Sequence, residues 1–63
     1  MISDLDIYRA ANLLIDRHGS DAMIEASRLL DITLERGDHE GQVLWRRIKQ
    51  AIVVQALPTR TVH

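Results

Sequence analysis

The chain has 63 residues and no cysteine, which excludes disulfides and thiolate metal sites. Only Tyr8 and Trp45 are aromatic. A chain this short forms one domain, residues 1–63, and buries only about 60% of the surface that its unfolded form exposes. Its stability must therefore come from well-packed helices, from association with another copy, or from both.

Charge is distributed unevenly along the chain, although the formal net charge is only −1. All nine acidic residues lie between Asp4 and Glu40. The part from residue 42 onward carries no acid and four basic residues, Arg46, Arg47, Lys49 and Arg60. Such an asymmetry is typical of packing between the two halves, of self-association, or of an acidic partner.

The start of the chain has no basic leader, since Asp4 and Asp6 already occur among the first six residues. No apolar run approaches the roughly 18 residues that a membrane span needs. We therefore expect a complete small cytoplasmic protein with no membrane partner.

The first predicted helix runs from about residue 3 to residue 18. Ser3 is its expected N-cap, with Asp6 favourable in the first turn, and Gly19 is its expected left-handed C-cap. Leu13 falls among the polar residues of this helix. The helical projection places the other apolar residues on one broad arc: Leu5, Ile7, Tyr8, Ala11, Leu14 and Ile15.

The second predicted helix covers residues 20–36, with Ser20 or Asp21 as its N-cap and Gly37 as its end. Ala22 and Ala26 are small enough to let a neighbouring helix approach closely. The predicted buried stripe consists of Ala22, Met23, Ala26, Leu29, Leu30, Thr33 and Leu34.

The third predicted helix covers residues 38–57, with Asp38 as N-cap. Pro58 ends it, and residues 58–63 are expected to form a short disordered, frayed tail. One face of this helix is apolar, through Leu44, Trp45, Ile48, Ala51, Ile52 and Ala56. The three helices together predict an all-α fold, a small three-helix bundle.

A second side of the third helix is also apolar, because Val43, Val53, Val54 and Leu57 project away from the first face. A helix that is apolar on more than one side is buried between neighbours or presents a second face to a partner. We therefore expect a protein–protein interaction or self-association module, most simply a homodimer. The candidate interface comprises Val43, Arg47, Gln50, Val53, Val54 and Leu57.

The histidines and carboxylates do not have the spacing of a metal site. The cluster of Asp38, His39 and Glu40 lacks a second histidine four residues after His39, so it is not an HExxH motif. Ser3 and Ser20 are explained as helix caps rather than as nucleophiles, and the chain has no glycine-rich phosphate loop. We expect no catalytic, metal-binding or cofactor-binding residues, no small-molecule substrate, and no enzymatic activity.

Nucleic-acid binding is the alternative hypothesis. The second and third helices with their short connection superficially resemble a helix-turn-helix, and the later helix carries Arg46, Arg47 and Lys49. However, its N-terminal part, which would read the bases, carries Asp38 and Glu40, and these repel phosphates. A small nucleic-acid-associated regulator would gather the three basic residues away from acids, whereas an interaction module would interleave them with acids.

Trp45 shares its helical face with Ile48 and Ile52, which favours a role as the anchor of the core. Its indole N–H would then need an acceptor such as Asp38, Glu40 or a backbone carbonyl. The alternative is an interface hot spot, since Trp45 is followed by two arginines.

Between residues 7 and 52 the chain carries the patterns IYRAANLLIDRHG, DA..EA and ERGD..G...WRRI..AI. These segments resemble a family of short, uncharacterised bacterial helical proteins known only as a domain of unknown function. The resemblance implies a small cytosolic bacterial protein and supplies no catalytic residue, substrate or cofactor.

Overall fold

The computed structural model describes residues 3–56 and consists of three α-helices. Helix α1 spans Asp4–His18, α2 spans Ala22–Arg36 and α3 spans His39–Ala56, with a 3₁₀ turn at Gly19–Asp21 between α1 and α2. The predicted all-α, three-helix fold is confirmed. The predicted end at Leu57 and the predicted tail at 58–63 lie outside the described residues.

Local capping signals explain where the helices begin and end. The Asp6 N–H donates to Ser3 Oγ over 3.2 Å, and the Gly41 N–H donates to Asp38 Oδ1 over 3.0 Å, so α1 and α3 have the predicted side-chain caps. At the end of α2, Gly37 is left-handed with φ 69° and ψ 27°. The Gly37 N–H then donates to the carbonyl of Leu34.

The corner between α1 and α2 differs from the prediction. Gly19 has a positive φ of 57° but a ψ of −127°, which is not the predicted left-handed cap. Neither Ser20 nor Asp21 supplies a predicted side-chain cap, because the 3₁₀ turn continues directly into α2 and Asp21, at the N-cap position, makes no side-chain cap hydrogen bond. The chain therefore turns this corner through backbone geometry alone.

Helix α3 holds the bundle together, because it packs against both α1 and α2 more extensively than those two pack against each other. Thr33, late in α2, lies against Gly41, early in α3. Met23, early in α2, borders the same groove as Val53, late in α3. Helices α2 and α3 therefore run antiparallel.

The core is small, and most of its buried members have short side chains. It consists of Ile7, Ala11, Ala22, Ala26, Ile48, Ala51 and Ile52. Ala22 and Ala26 are at most 1% exposed, as predicted for a close helix contact. Trp45 and the larger leucines only flank this core, so Trp45 is a half-buried neighbour of the core rather than its anchor.

Three residues that the helical projection placed in the core are exposed instead. Leu5 and Tyr8 on α1 are 58% and 46% exposed, and Leu34 in the last turn of α2 is 47% exposed. Leu5 and Leu34 lie at the edges of their apolar arcs, and Tyr8 borders an open space between α1 and α3. Leu13, which the projection placed on the polar side, is 52% exposed.

Replacing Ile48 with alanine is expected to lower the free energy of unfolding by about 2 to 4 kcal/mol, because Ile48 is 2% exposed at the centre of the core. That is a large part of the total stability of so small a domain. Urea unfolding followed by circular dichroism at fixed protein concentration measures it. The matched control is Ile24→Ala, since Ile24 is 68% exposed and its loss should change stability by less than about 0.5 kcal/mol. Equal effects of the two substitutions would contradict this core assignment.

Replacing Gly41 with alanine is also expected to destabilise the fold, although alanine is the better helix former. A Cβ atom at Gly41 would lie 2.5 Å from Asp38 Oδ2 and 2.7 Å from Thr33 Cγ2. Relieving both contacts would disturb the α3 cap and a buried methyl group, at a cost of roughly 1 to 3 kcal/mol. Thr33→Ser removes the methyl group, so adding it to Gly41→Ala should restore part of the loss. Additive losses in the double variant would show that the close contact is not the cause.

Candidate interaction surface

One side of α3 faces away from the bundle. We define the outer face of α3 as the six exposed residues Val43, Arg46, Arg47, Gln50, Val53 and Val54. It contains five of the six predicted interface residues, and the sixth, Leu57, lies outside the described residues. The structure therefore places the five described candidates on one continuous surface.

Four residues of the outer face form a straight stripe. Val43, Arg47, Gln50 and Val54 follow one another at intervals of four, three and four residues. This spacing keeps side chains on one line along a helix and is the spacing of a helix–helix seam. Val43 and Val54, at the two ends of the stripe, are 56% and 58% exposed.

A groove of about 250 Å³ lies beside the stripe, between α3 and α1. Its apolar walls come from Ile7, Tyr8, Ala51 and Val54, and Gln50 also borders it. The exposed ring of Tyr8 thus belongs to the same surface as Val54. Sequence reasoning missed this role of Tyr8 because it assigned the whole apolar arc of α1 to the core.

Asp4 and Arg47 close one part of this groove with an ion pair. The Arg47 guanidinium donates a hydrogen bond to Asp4 Oδ1, which connects the first turn of α1 to the middle of α3. Both side chains are largely exposed, so the pair adds little stability. Its main effect is to neutralise the arginine at the centre of the stripe.

A second groove, of about 370 Å³, lies on the other side of the outer face, between α3 and α2. Met23, Arg46, Lys49, Gln50 and Val53 line it. Within residues 3–56, neither Arg46 nor Lys49 takes part in an ion pair. This side of α3 is therefore basic, whereas the side facing α1 is electrically balanced.

The three basic residues of the predicted nucleic-acid face border two different grooves. Arg46 and Lys49 border the groove towards α2, while Arg47 borders the groove towards α1 and is bound to Asp4. At the start of α3, the Asp38 carboxylate caps the helix, and Glu40 lies in the first turn. One of the three predicted basic residues is thus interleaved with an acid, and two are not.

The remaining charged contact within the described chain is local to α2. Arg28 donates hydrogen bonds to both carboxylate oxygens of Glu25. This contact lowers the pKa of the Glu25 carboxyl below its ordinary value and raises the pKa of Arg28. The two residues are three positions apart on α2, with side chains 58% and 25% exposed, so this pair is an ordinary i,i+3 contact of a helix surface.

No group of three histidine or acidic side chains in the described part of the chain comes together in a way that could hold a metal ion. The Asp38 carboxylate already accepts the capping hydrogen bond from the Gly41 N–H of α3. No hydrogen bond from the Trp45 indole to Asp38 or Glu40 is present among residues 3–56. None of the helices described here is long and apolar enough to cross a membrane.

No family model, curated protein or solved structure matches the chain. The predicted resemblance to a helical domain of unknown function therefore stays a prediction.

The division of the basic residues predicts weak, salt-sensitive binding to nucleic acid. Of the three basic residues on the predicted nucleic-acid face, only Arg46 and Lys49 are free of ion pairs within residues 3–56. This face can therefore neutralise about two phosphates, and the slope of log affinity against log salt should be about −2. Fluorescence anisotropy of labelled duplex DNA and RNA over a salt series measures the slope. A sequence-selective complex that persists in physiological salt, and that Arg46→Ala with Lys49→Ala abolishes, would contradict this prediction.

Proposed function

We propose that this protein is a non-enzymatic, cytoplasmic self-association module that forms a homodimer through the outer face of α3. The observation that carries the proposal is the exposure of three valines on this one face: Val43, Val53 and Val54 are 56%, 45% and 58% exposed. Isolated exposed apolar residues are ordinary on protein surfaces. Three of them within twelve residues of one helix face indicate a surface that associates.

The composition of the core supports the same proposal. Four of the seven buried apolar residues are alanines, and each alanine contributes little apolar area to the core. Meanwhile eight large apolar side chains of the described chain are substantially exposed. A domain of this size that has no cysteine to form a disulfide gains the missing burial most directly from a second copy of itself.

Charge also favours a protein partner over nucleic acid. Arg47, at the centre of the stripe, already has a carboxylate partner in Asp4. An interface tolerates such a neutralised pair, whereas a phosphate would have to compete with Asp4 for the arginine. We retain nucleic-acid binding through Arg46 and Lys49 as the second candidate, because the groove that they border contains no acid.

Replacing Val54 with aspartate is expected to convert the dimer to monomer while the helical content remains measurable. The substitution would place two unpaired carboxylates in one apolar interface, which should raise the dimer dissociation constant by roughly tenfold or more. Sedimentation equilibrium over a hundredfold range of concentration measures the dissociation constant. Thermal melts of the unmodified protein over the same range should show a midpoint that rises with concentration.

The matched control is Leu13→Asp, because Leu13 is exposed to a similar degree but lies on the polar side of α1. This variant should remain a dimer. A monomeric unmodified protein, or a dimer that Val54→Asp leaves unchanged, would overturn the proposal. Collapse of the fold in Val54→Asp but not in Leu13→Asp would place Val54 in the core of one chain and would also overturn it.

A further inference from the structure

The order of residues along the outer face of α3 restricts how a second copy could pack on it. Val43 and Val54 are eleven residues apart, which is about three helical turns, and therefore project on nearly the same side. Between them lie two polar residues, Arg47 and Gln50. The order along the stripe is thus apolar, cationic, neutral polar, apolar.

Two copies of this stripe match each other only when the two α3 helices run in opposite directions. If two copies of α3 ran parallel and in register, Arg47 would face the partner's Arg47, and neither guanidinium could accept a hydrogen bond from the other. If the two copies run antiparallel about a two-fold axis near residues 48 and 49, Val43 faces the partner's Val54. Arg47 then faces the partner's Gln50.

We propose that the protein dimerises with its two α3 helices antiparallel, in the register that sets Val43 against the partner's Val54 and Arg47 against the partner's Gln50. This inference rests on the proposed function and adds the orientation and register of the partner copy. The side-chain oxygen of Gln50 accepts a hydrogen bond from the facing guanidinium, and the two-fold axis repeats that contact. Antiparallel helices also place opposite ends of their dipoles side by side.

The groove between α1 and α3 supports this arrangement. In this register the partner's Val43 lies beside Val54. Val54 borders the groove whose walls include Ile7, Tyr8 and Ala51. An aliphatic side chain placed there covers the exposed part of the Tyr8 ring as well as Val54. Asp4 keeps its contact with Arg47 at the same time, so the polar centre of the interface carries no net charge.

Single-cysteine variants test the orientation directly, because the natural chain has no cysteine. A disulfide requires Cα atoms about 4.4 to 6.8 Å apart. In the proposed register, residue 43 lies close to the partner's residue 54. Each residue, however, lies about 16 Å along the helix axis from its own copy, at 1.5 Å per residue.

Val43→Cys and Val54→Cys should therefore cross-link to each other when the two proteins are mixed in a glutathione redox buffer. Each variant alone should give little covalent dimer, and intact mass spectrometry identifies which pair has formed. Leu13→Cys, on the polar side of α1, is the control for random collision. Covalent dimer from Val43→Cys alone would overturn the antiparallel orientation, and an absence of cross-linking in the mixture would overturn the register.

Substitution of Gln50 gives a second readout that needs no oxidation. Gln50→Glu should strengthen the proposed dimer severalfold, because the new carboxylate faces the partner's Arg47, whereas Gln50→Lys should weaken it severalfold. In a parallel dimer both variants would place like charges opposite each other, and both would weaken it. Sedimentation distinguishes a failure of self-association from a failure of the antiparallel orientation. A protein that stays monomeric refutes self-association. A dimer that both variants weaken refutes only the antiparallel orientation.

Discussion

Close packing of α3 against both other helices is the interaction on which the rest of the structure depends. Alanines at the contacts, Ala11, Ala22 and Ala26, bring the helices near to one another, and Ile48 and Ile52 of α3 fill the space that remains. This arrangement gives a well-packed contact with few large side chains in it. Because the core encloses so little volume, many larger apolar side chains remain on the surface. The small core therefore explains why the surface is partly apolar.

Because the core is small, α3 contributes to the core with one side and to the exposed apolar surface with the other. The inner side of α3 holds the bundle together through Ile48, Ala51 and Ile52, and its outer side carries the exposed valines. A partner that docks on the outer side would therefore rest on the helix that also organises the monomer. Association and folding then depend on the same element, and a change that weakens α3 affects both.

The sequence predicts the helices well because their ends have local causes. Ser3 and Asp38 cap α1 and α3, and Gly37 ends α2, each through neighbours within a few residues. Helical periodicity also identifies the outer face, because the sequence itself shows valines between the polar residues of α3. Periodicity gives only the direction of a side chain, however, and not whether another helix covers it.

Two features depend on contacts between distant residues and could not be predicted in this way. Leu5, Tyr8 and Leu34 are exposed, and helical periodicity does not show which part of an apolar arc a neighbouring helix covers. The pair of Asp4 and Arg47 joins residues 43 positions apart, and the charges alone do not select it among many possible pairs. The division of the basic residues between two grooves depends on the positions of α1 and α2 on either side of α3, which helical periodicity does not give.

The 3₁₀ turn between α1 and α2 limits how the length of this chain can vary. Only Gly19–Asp21 separate the two helices, so the corner has little slack to absorb an extra residue. One residue added within either helix would rotate everything beyond it by about 100° about the helix axis. After an insertion early in α2, for example, Ala26 would turn out of the core, and a bulkier or polar side chain would take its place. Insertions and deletions between Asp4 and Arg36 should therefore be rare among descendants of this sequence.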